Sequence, residues 1–256
     1  MAITSIRDRI RKTARACLDQ LLPSECLGCG ALTGNQSDAL PSTLCESCYL
    51  ELTPDLDTTC DRCGAPLGPH ASPRGKCPHC RGRSFCFKSV TCLGMYEGLL
   101  RRLLVSGKWS HSSNNVRSLA RALVDCRGQR LADVRADRLI PIPQIWHRRF
   151  FRNFNAASLV ATEISRVLRQ PVDTNVLHRS RSTRPQKRAS VADRTAIQKD
   201  SFRIGNARAI RGETLLLVDD VLTTGATCNE AVRMLLDAGA TECHVAVLAR
   251  VSGTAS

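Results

Sequence analysis

The chain has 256 residues, room for one ordinary domain and a smaller one, and its 43% hydrophobic residues are enough for a packed core. Aromatic residues make up only 4%, so that core is aliphatic. A formal charge of +14, from 37 Lys and Arg against 23 Asp and Glu, excludes an acidic surface and favours anionic partners such as nucleic acid, phosphorylated metabolites or an acidic membrane face.

Residues 1–22 predict a basic amphipathic helix. Ile3, Ile6, Ile10, Ala14, Cys17, Leu18 and Leu21 recur at helical spacing, with Arg7, Arg9, Arg11, Lys12 and Arg15 between them. Such a helix packs on its own protein or lies against a membrane surface or partner. It lacks the continuous apolar core of a signal peptide, and no run approaches the roughly 18 apolar residues of a membrane span. A cytoplasmic protein with peripheral membrane contact at most is expected.

Eleven of the fourteen cysteines lie in the first 92 residues. Eight form four pairs of one spacing: Cys26 and Cys29, Cys45 and Cys48, Cys60 and Cys63, Cys77 and Cys80. A Cys-x-x-Cys turn lets two thiolates converge on one tetrahedral ion, and two turns complete a four-sulfur shell. Without a secretion signal, disulfides are the weaker explanation. Residues 23–92 are therefore expected to form a double zinc-ribbon module holding about two structural Zn²⁺ ions. Sequential pairing joins the first four cysteines at one ion and the last four at the other; a cross-braced pairing satisfies the same spacing. Closed four-sulfur sites leave no position open for catalysis, so the module is a scaffold. His70 and His79 read as bystanders. Cys86, Cys92, Cys126, Cys228 and Cys243 have no partner at ligand spacing and read as ordinary small residues.

Residues 93–256 read as an α/β domain with a parallel sheet. A helix follows Gly98, another spans 115–126, Arg138–Pro143 is a short buried strand, and 155–169 is a helix. The segment 178–199 carries seven Lys and Arg against one Asp and no apolar periodicity, the mark of a functional or disordered loop. Leu215–Val218 fit a central strand buried on both faces. A helix from about residue 228 to 238 stops at Gly239, and a last strand covers 243–249.

Asp219 and Asp220 follow that central strand, at the end where open α/β sheets bind ligands. Two adjacent carboxylates there can accept hydrogen bonds from vicinal hydroxyls. Thr223, Thr224, Gly225, Ala226 and Thr227 lead into the next helix, so backbone N–H groups, hydroxyls and a helix N-terminus converge, which suits a phosphate. A diol at one end and a phosphate at the other describe a ribose 5-phosphate.

The run from Leu215 to Thr227 resembles the phosphoribosyl-diphosphate (PRPP) signature of type I phosphoribosyltransferases. With zinc knuckles ahead of it, the chain is similar to the ComF family of competence-associated and GntX-like proteins. The likeness includes LLPSECLGCG at 21–30, YEGLLRRLLVSGK at 96–108, IPIP at 140–143 and RNFNAASLVA at 152–161, with Gln186, Ser190, Arg194 and Phe202 in the basic loop. The resemblance implies PRPP binding, with Mg²⁺ accompanying the diphosphate and Lys108 and Arg194 as its contacts. It also implies a role in uptake or use of external DNA, with single-stranded DNA and competence or DNA-processing proteins as partners. Departures occur where the family's Arg-Gly-Phe-Asn-Gln becomes Arg152–Ala156, and where Arg188, Ala189 and Ile197 replace a usual Gly-Leu pair and an asparagine. The phosphate loop is intact while the diphosphate side is altered, which favours binding over turnover. Three functions stay open: a PRPP-binding protein of DNA uptake; an active phosphoribosyltransferase in which Asp219 and Asp220 serve catalysis; and an interaction protein with a vestigial loop.

Overall fold

The computed structural model describes residues 25–33, 43–54, 59–67, 77–80, 83–109, 113–144, 154–180 and 201–251. The expected helix at 1–22, His70 and most of the basic loop, with Gln186, Ser190 and Arg194, lie outside them. Two compact units, Met1–Leu52 and Thr53–Ser256, divide the chain. Composition changes near residue 92, but compactness changes forty residues earlier, so the second ribbon belongs to the same unit as the α/β fold.

In the first unit, Cys26 to Gly30 form a tight turn. The Gly30 N–H donates to the Cys26 carbonyl at 2.8 Å, and the Cys26 N–H donates to Ala31 at 2.8 Å. Gly30 takes φ 76°, a conformation that a residue without Cβ adopts at no steric cost. Helix α1 (Glu46–Leu52) follows Cys45 and turns Cys48 and Leu52 inward.

The second unit contains, in chain order, β1 (Val90–Met95), α2 (Gly98–Trp109), α3 (Asn114–Asp133), β2 (Arg138–Pro141), α4 (Ala156–Leu168), β3 (Leu177–Arg179), β4 (Phe202–Ile204), β5 (Thr214–Leu222), α5 (Ala226–Asp237) and β6 (Glu242–Arg250). Four strands form one all-parallel sheet in the order β1-β6-β5-β2. Leu215 to Val218 are fully buried, as a central strand covered on both faces requires. On one face, α5 and the antiparallel β3–β4 hairpin share a core with Leu215, Leu217, Val245 and Val247. Helices α3 and α4 pack on each other and on the sheet, burying Leu119, Leu123, Val160 and Ile164. Glu163, only 5% exposed, is held between these helices by Arg117 at 3.1 Å, Arg121 at 3.5 Å and Arg166 at 2.7 Å.

Three elements differ from expectation. Helix α3 continues seven residues beyond Cys126, carrying Arg130 to the second ribbon. His178, Arg179 and Phe202 belong to the hairpin rather than to a loop, because Leu177 and Phe202 have apolar places in the core. Strand β5 runs on to Leu222, since β6 keeps pairing with it as far as Arg250, whereas β2 ends opposite Val218. Asp219 and Asp220 therefore lie inside the sheet on one side and beyond its end on the other.

Candidate functional site

Each set of four cysteines converges, Cys26, Cys29, Cys45 and Cys48 in the first unit and Cys60, Cys63, Cys77 and Cys80 in the second, with the sulfurs of each set within 4.8 Å of one another. Neighbouring sulfurs stand 3.7 Å apart for Cys29 and Cys45, 3.8 Å for Cys60 and Cys80, and 3.9 Å for Cys63 and Cys77. Four sulfurs placed at ~2.3 Å around one tetrahedral Zn²⁺ stand ~3.8 Å apart, so both sets fit this ion. The grouping is the sequential one; the cross-braced alternative would need sulfurs that the fold holds in different clusters. His79 lies on a short 3₁₀ turn, Pro78–Cys80, and belongs to neither set. At Cys26 burial raises the thiol pKa, but N–H donors from Cys45 and Gly28, at 3.2 and 3.4 Å from the sulfur, help bring it down to about 6. That favours the thiolate, the form that binds metal.

The second knuckle repeats the first. The Gly64 N–H donates to Cys60 and the Cys60 N–H to Ala65, both at 2.8 Å, with Gly64 at φ 68°. It is seated on the sheet edge. The Val90 N–H donates to Asp61 at 2.9 Å, and the Cys92 thiol to the Gly64 carbonyl at 3.3 Å. Arg130 on α3 donates to Thr59 at 3.3 Å and to the Val90 carbonyl at 3.2 Å, and pairs with Asp61 at 3.2 Å. Cys92, read from sequence as an ordinary small residue, is thus part of the seat.

The loop after β5 leads directly into α5, which begins two residues earlier than expected. Gly225, at φ 82°, is the N-cap of α5, and the Ala226 N–H donates to the Thr224 hydroxyl at 3.3 Å. Thr227 lies in the first turn of α5, where amides have no acceptor within the helix and the helix dipole is positive. A Cβ on Gly225 would stand 3.1 Å from the ring of Phe85, so the glycine is required by the ribbon-derived segment behind the loop as well as by its φ.

Asp219 is half-buried and its side chain accepts from the Asp220 N–H at 2.9 Å. Burial first, and then the charge of Asp220, push its pKa up to about 8; the Asp220 N–H and the Arg179 guanidinium act in the opposite direction. Asp219 therefore keeps its proton near neutrality. Arg179 ends β3, donates to the Pro143 carbonyl at 3.1 Å and lies over the Phe202 ring at 4.3 Å. Sequence reasoning counted it among the loop cations and missed its place beside the aspartates; only the apolar residues flanking the hairpin hinted at it. Lys108 lies on α2, and Arg194 is outside the described residues. Asn155 caps α4, accepting from the Ala157 N–H at 3.1 Å, and its amide donates to Ile142 at 3.0 Å, tying the helix to the end of β2.

Residues 17–81 match the double zinc ribbon domain and residues 155–255 the phosphoribosyl transferase domain. The chain is 29% identical over 211 residues to the DNA utilization protein YhgH of Escherichia coli strain K12, covering 81% of this chain and 90% of that protein. It is 28% identical over 212 residues to Competence protein F of Haemophilus influenzae, with the same coverage. The chain thus carries a double zinc ribbon domain ahead of a phosphoribosyl transferase domain, and it is similar over most of its length to proteins named for DNA utilization and competence. Looser likenesses link it to solved structures. The glutamine PRPP amidotransferase of B. subtilis is 23% identical with a TM-score of 0.36, covering 54% of this chain and 26% of that one. The purine phosphoribosyltransferase of Pyrococcus horikoshii is 15% identical with a TM-score of 0.35, covering 65% and 82%. Likenesses that loose carry no argument about chemistry. Among the described residues, no helix is long and apolar enough to cross a membrane.

Proposed function

We propose that this chain is a ComF-family protein that binds a ribose 5-phosphate ligand, PRPP or a close relative, and acts on the cytoplasmic side in the uptake or use of external DNA. The observation that carries the ligand reading is the adjacency of Asp219 and Asp220, at the end of the β2–β5 ladder, to a loop that opens α5 through a left-handed Gly225. Thr223, Thr224 and Thr227 supply hydroxyls, the helix start supplies amides, and the aspartates accept from the ribose diol. Because Asp219 keeps its proton near neutrality, its carboxyl can also donate to one hydroxyl. Mg²⁺, where it accompanies a diphosphate, would meet the same two carboxylates and neutralise part of its charge, with Arg179, Lys108 and Arg194 as further contacts. The DNA role rests on the names of the relatives and on the +14 charge, which suits a polyanion such as single-stranded DNA.

Calorimetric titration of folded Asp220→Asn and Gly225→Val variants tests the reading. Asp220→Asn removes an acceptor for the sugar and should weaken PRPP by roughly tenfold to a hundredfold while sparing inorganic phosphate. Gly225→Val should weaken both ligands alike, because its side chain meets Phe85 and displaces the loop. If both variants bind PRPP as well as the parent, the loop is vestigial. Diphosphate release from PRPP with candidate bases, assayed on the same protein, separates binding from turnover.

A further inference from the structure

The second zinc set and the phosphate loop share a buried residue. Arg250 ends β6 and is 1% exposed. Its Nε–H donates to the carbonyl of Cys63, a member of the four-sulfur set, at 3.1 Å. Its Nη1 donates to the carbonyls of Leu222 at 3.2 Å, Val251 at 2.6 Å and Thr223. All four acceptors are main-chain carbonyls. A cation so far from water is costly unless hydrogen-bonded, so these carbonyls are held facing the guanidinium.

That orientation has a consequence for the loop. The C=O and N–H of one planar trans peptide point in opposite directions. With the carbonyls of Leu222 and Thr223 turned to Arg250, the N–H groups of Thr223 and Thr224 are turned away from it. The Thr224 carbonyl lies 3.5 Å from the Arg83 guanidinium, which turns the Gly225 N–H away from that side chain. Successive N–H groups facing one side form an anion-binding concavity. The segment after the last zinc ligand supports this arrangement from behind: the Phe85 ring lies against Gly225, and the Cys86 N–H donates to Asn229 on α5 at 2.5 Å.

We propose that zinc at Cys60, Cys63, Cys77 and Cys80 sets the shape of loop 222–225 through Arg250, a positioning residue, so that zinc and the ribose-phosphate ligand bind cooperatively. The proposal rests on the phosphate reading of the loop. Coupling between two binding sites is reciprocal, so the ligand must also tighten the hold on the second zinc.

The test uses the full-length zinc-loaded protein, with the four-sulfur set of the other compact unit as control. Amide exchange across residues 222–226 is measured in Cys77→Ser and Cys29→Ser. Cys77→Ser should speed loop exchange by about tenfold or more, while β2 amides stay protected; Cys29→Ser should leave the loop as in the parent. Zinc release to a chromogenic chelator is followed with and without ribose 5-phosphate. The ligand should slow the loss of one zinc of the two in the parent, and Arg250→Lys, whose single ammonium cannot span the same carbonyls, should abolish that slowing. Loop exchange unchanged on loss of the second zinc, or equal in the two cysteine variants, overturns the proposal. Should Arg250→Lys not fold, the parent and the cysteine variants decide alone. If ribose 5-phosphate binds no form of the protein, the ligand reading fails, and the exchange response to zinc loss still decides the coupling.

Discussion

Gly30 and Gly64 hold the same place in two turns with the same hydrogen bonds, and their surroundings are opposite. Among the described residues, a Cβ on Gly30 would meet nothing within 4 Å; one on Gly64 would stand 3.1 Å from Val90 and 3.2 Å from the sulfur of Cys92. Local sequence made both knuckles alike. What differs is the tertiary partner: the second is bonded to β1, α3 and, through Arg250, to the loop after β5. Among the described residues of the first unit, few apolar side chains are buried beside its four-sulfur set. The second set lies at the border of a packed α/β core.

The strongest way to break this comparison is to remove the metal. Structural zinc in small sites supplies about 10–16 kcal/mol of apparent binding energy at pH 7, and in a minimal unit that is its folding energy. On chelation, the described part of the first unit should become protease-sensitive, whereas the parallel sheet should persist with a lowered melting temperature. Limited proteolysis and circular dichroism check both halves. Simultaneous loss of the two units would mean that the sheet cannot stand without its zinc.

A finer break separates the glycines. An L-residue in the left-handed region costs about 1–2 kcal/mol, and Gly30→Ala should cost little more than that. Gly64→Ala adds overlap with Val90 and Cys92 in a close-packed seat, for a total of about 2–4 kcal/mol. Denaturant unfolding of each unit measures both. Equal effects would show that the seat relaxes freely.

How far the sequence told this story depends on the residue. The eight cysteines were legible because tetrahedral coordination demands close spacing along the chain, and β5 because full burial demands an unbroken apolar run. The lead from β5 into α5 through Gly225 was legible because a glycine between strand and helix is a local signal. Arg250 and Cys92 were not: their partners lie 187 and 28 residues away, and nothing about a lone arginine or cysteine announces a carbonyl across the fold. Arg179 was hidden for a related reason, since the short hairpin that aims it is defined only by pairing with residues beyond the basic loop.

The second unit also carries an electrostatic cost at its site. The folded pKa of Asp219 lies above its unfolded value of 3.8, so the native state keeps a proton that the unfolded chain releases. Stability from this group is therefore full below about pH 4 and is lost as pH rises toward 8. Asp219→Asn should leave stability nearly unchanged at pH 4 and raise it at pH 9 by about 1–2 kcal/mol, less than full linkage because the half-buried carboxylate is partly screened by solvent. Melting curves across this range check it. The same variant should bind PRPP poorly, the usual exchange of stability against function.

The smallest expected effect tests whether the seat acts as one structure. Arg130 reaches from α3 to Thr59, Asp61 and the Val90 carbonyl, with its side chain 32% exposed. Arg130→Met keeps the apolar stem and removes the guanidinium. Its ion pair with Asp61 is partly solvated and worth about 0–1 kcal/mol, and the oxygens left behind lie near enough to the surface to find water, so the loss should be about 1 kcal/mol. Gln129→Ala, one residue earlier and, among the described residues, bonded within α3 to Asp133 at 2.8 Å, should cost almost nothing. The informative number is the coupling. If Arg130 and Gly64 both act by seating the second knuckle, Arg130→Met combined with Gly64→Ala should cost less than the sum of the two, by about 0.5 kcal/mol or more. Arg130→Met combined with Gly30→Ala should be additive, and a coupling of equal size there would mean that the two knuckles do not differ in the way their surroundings imply.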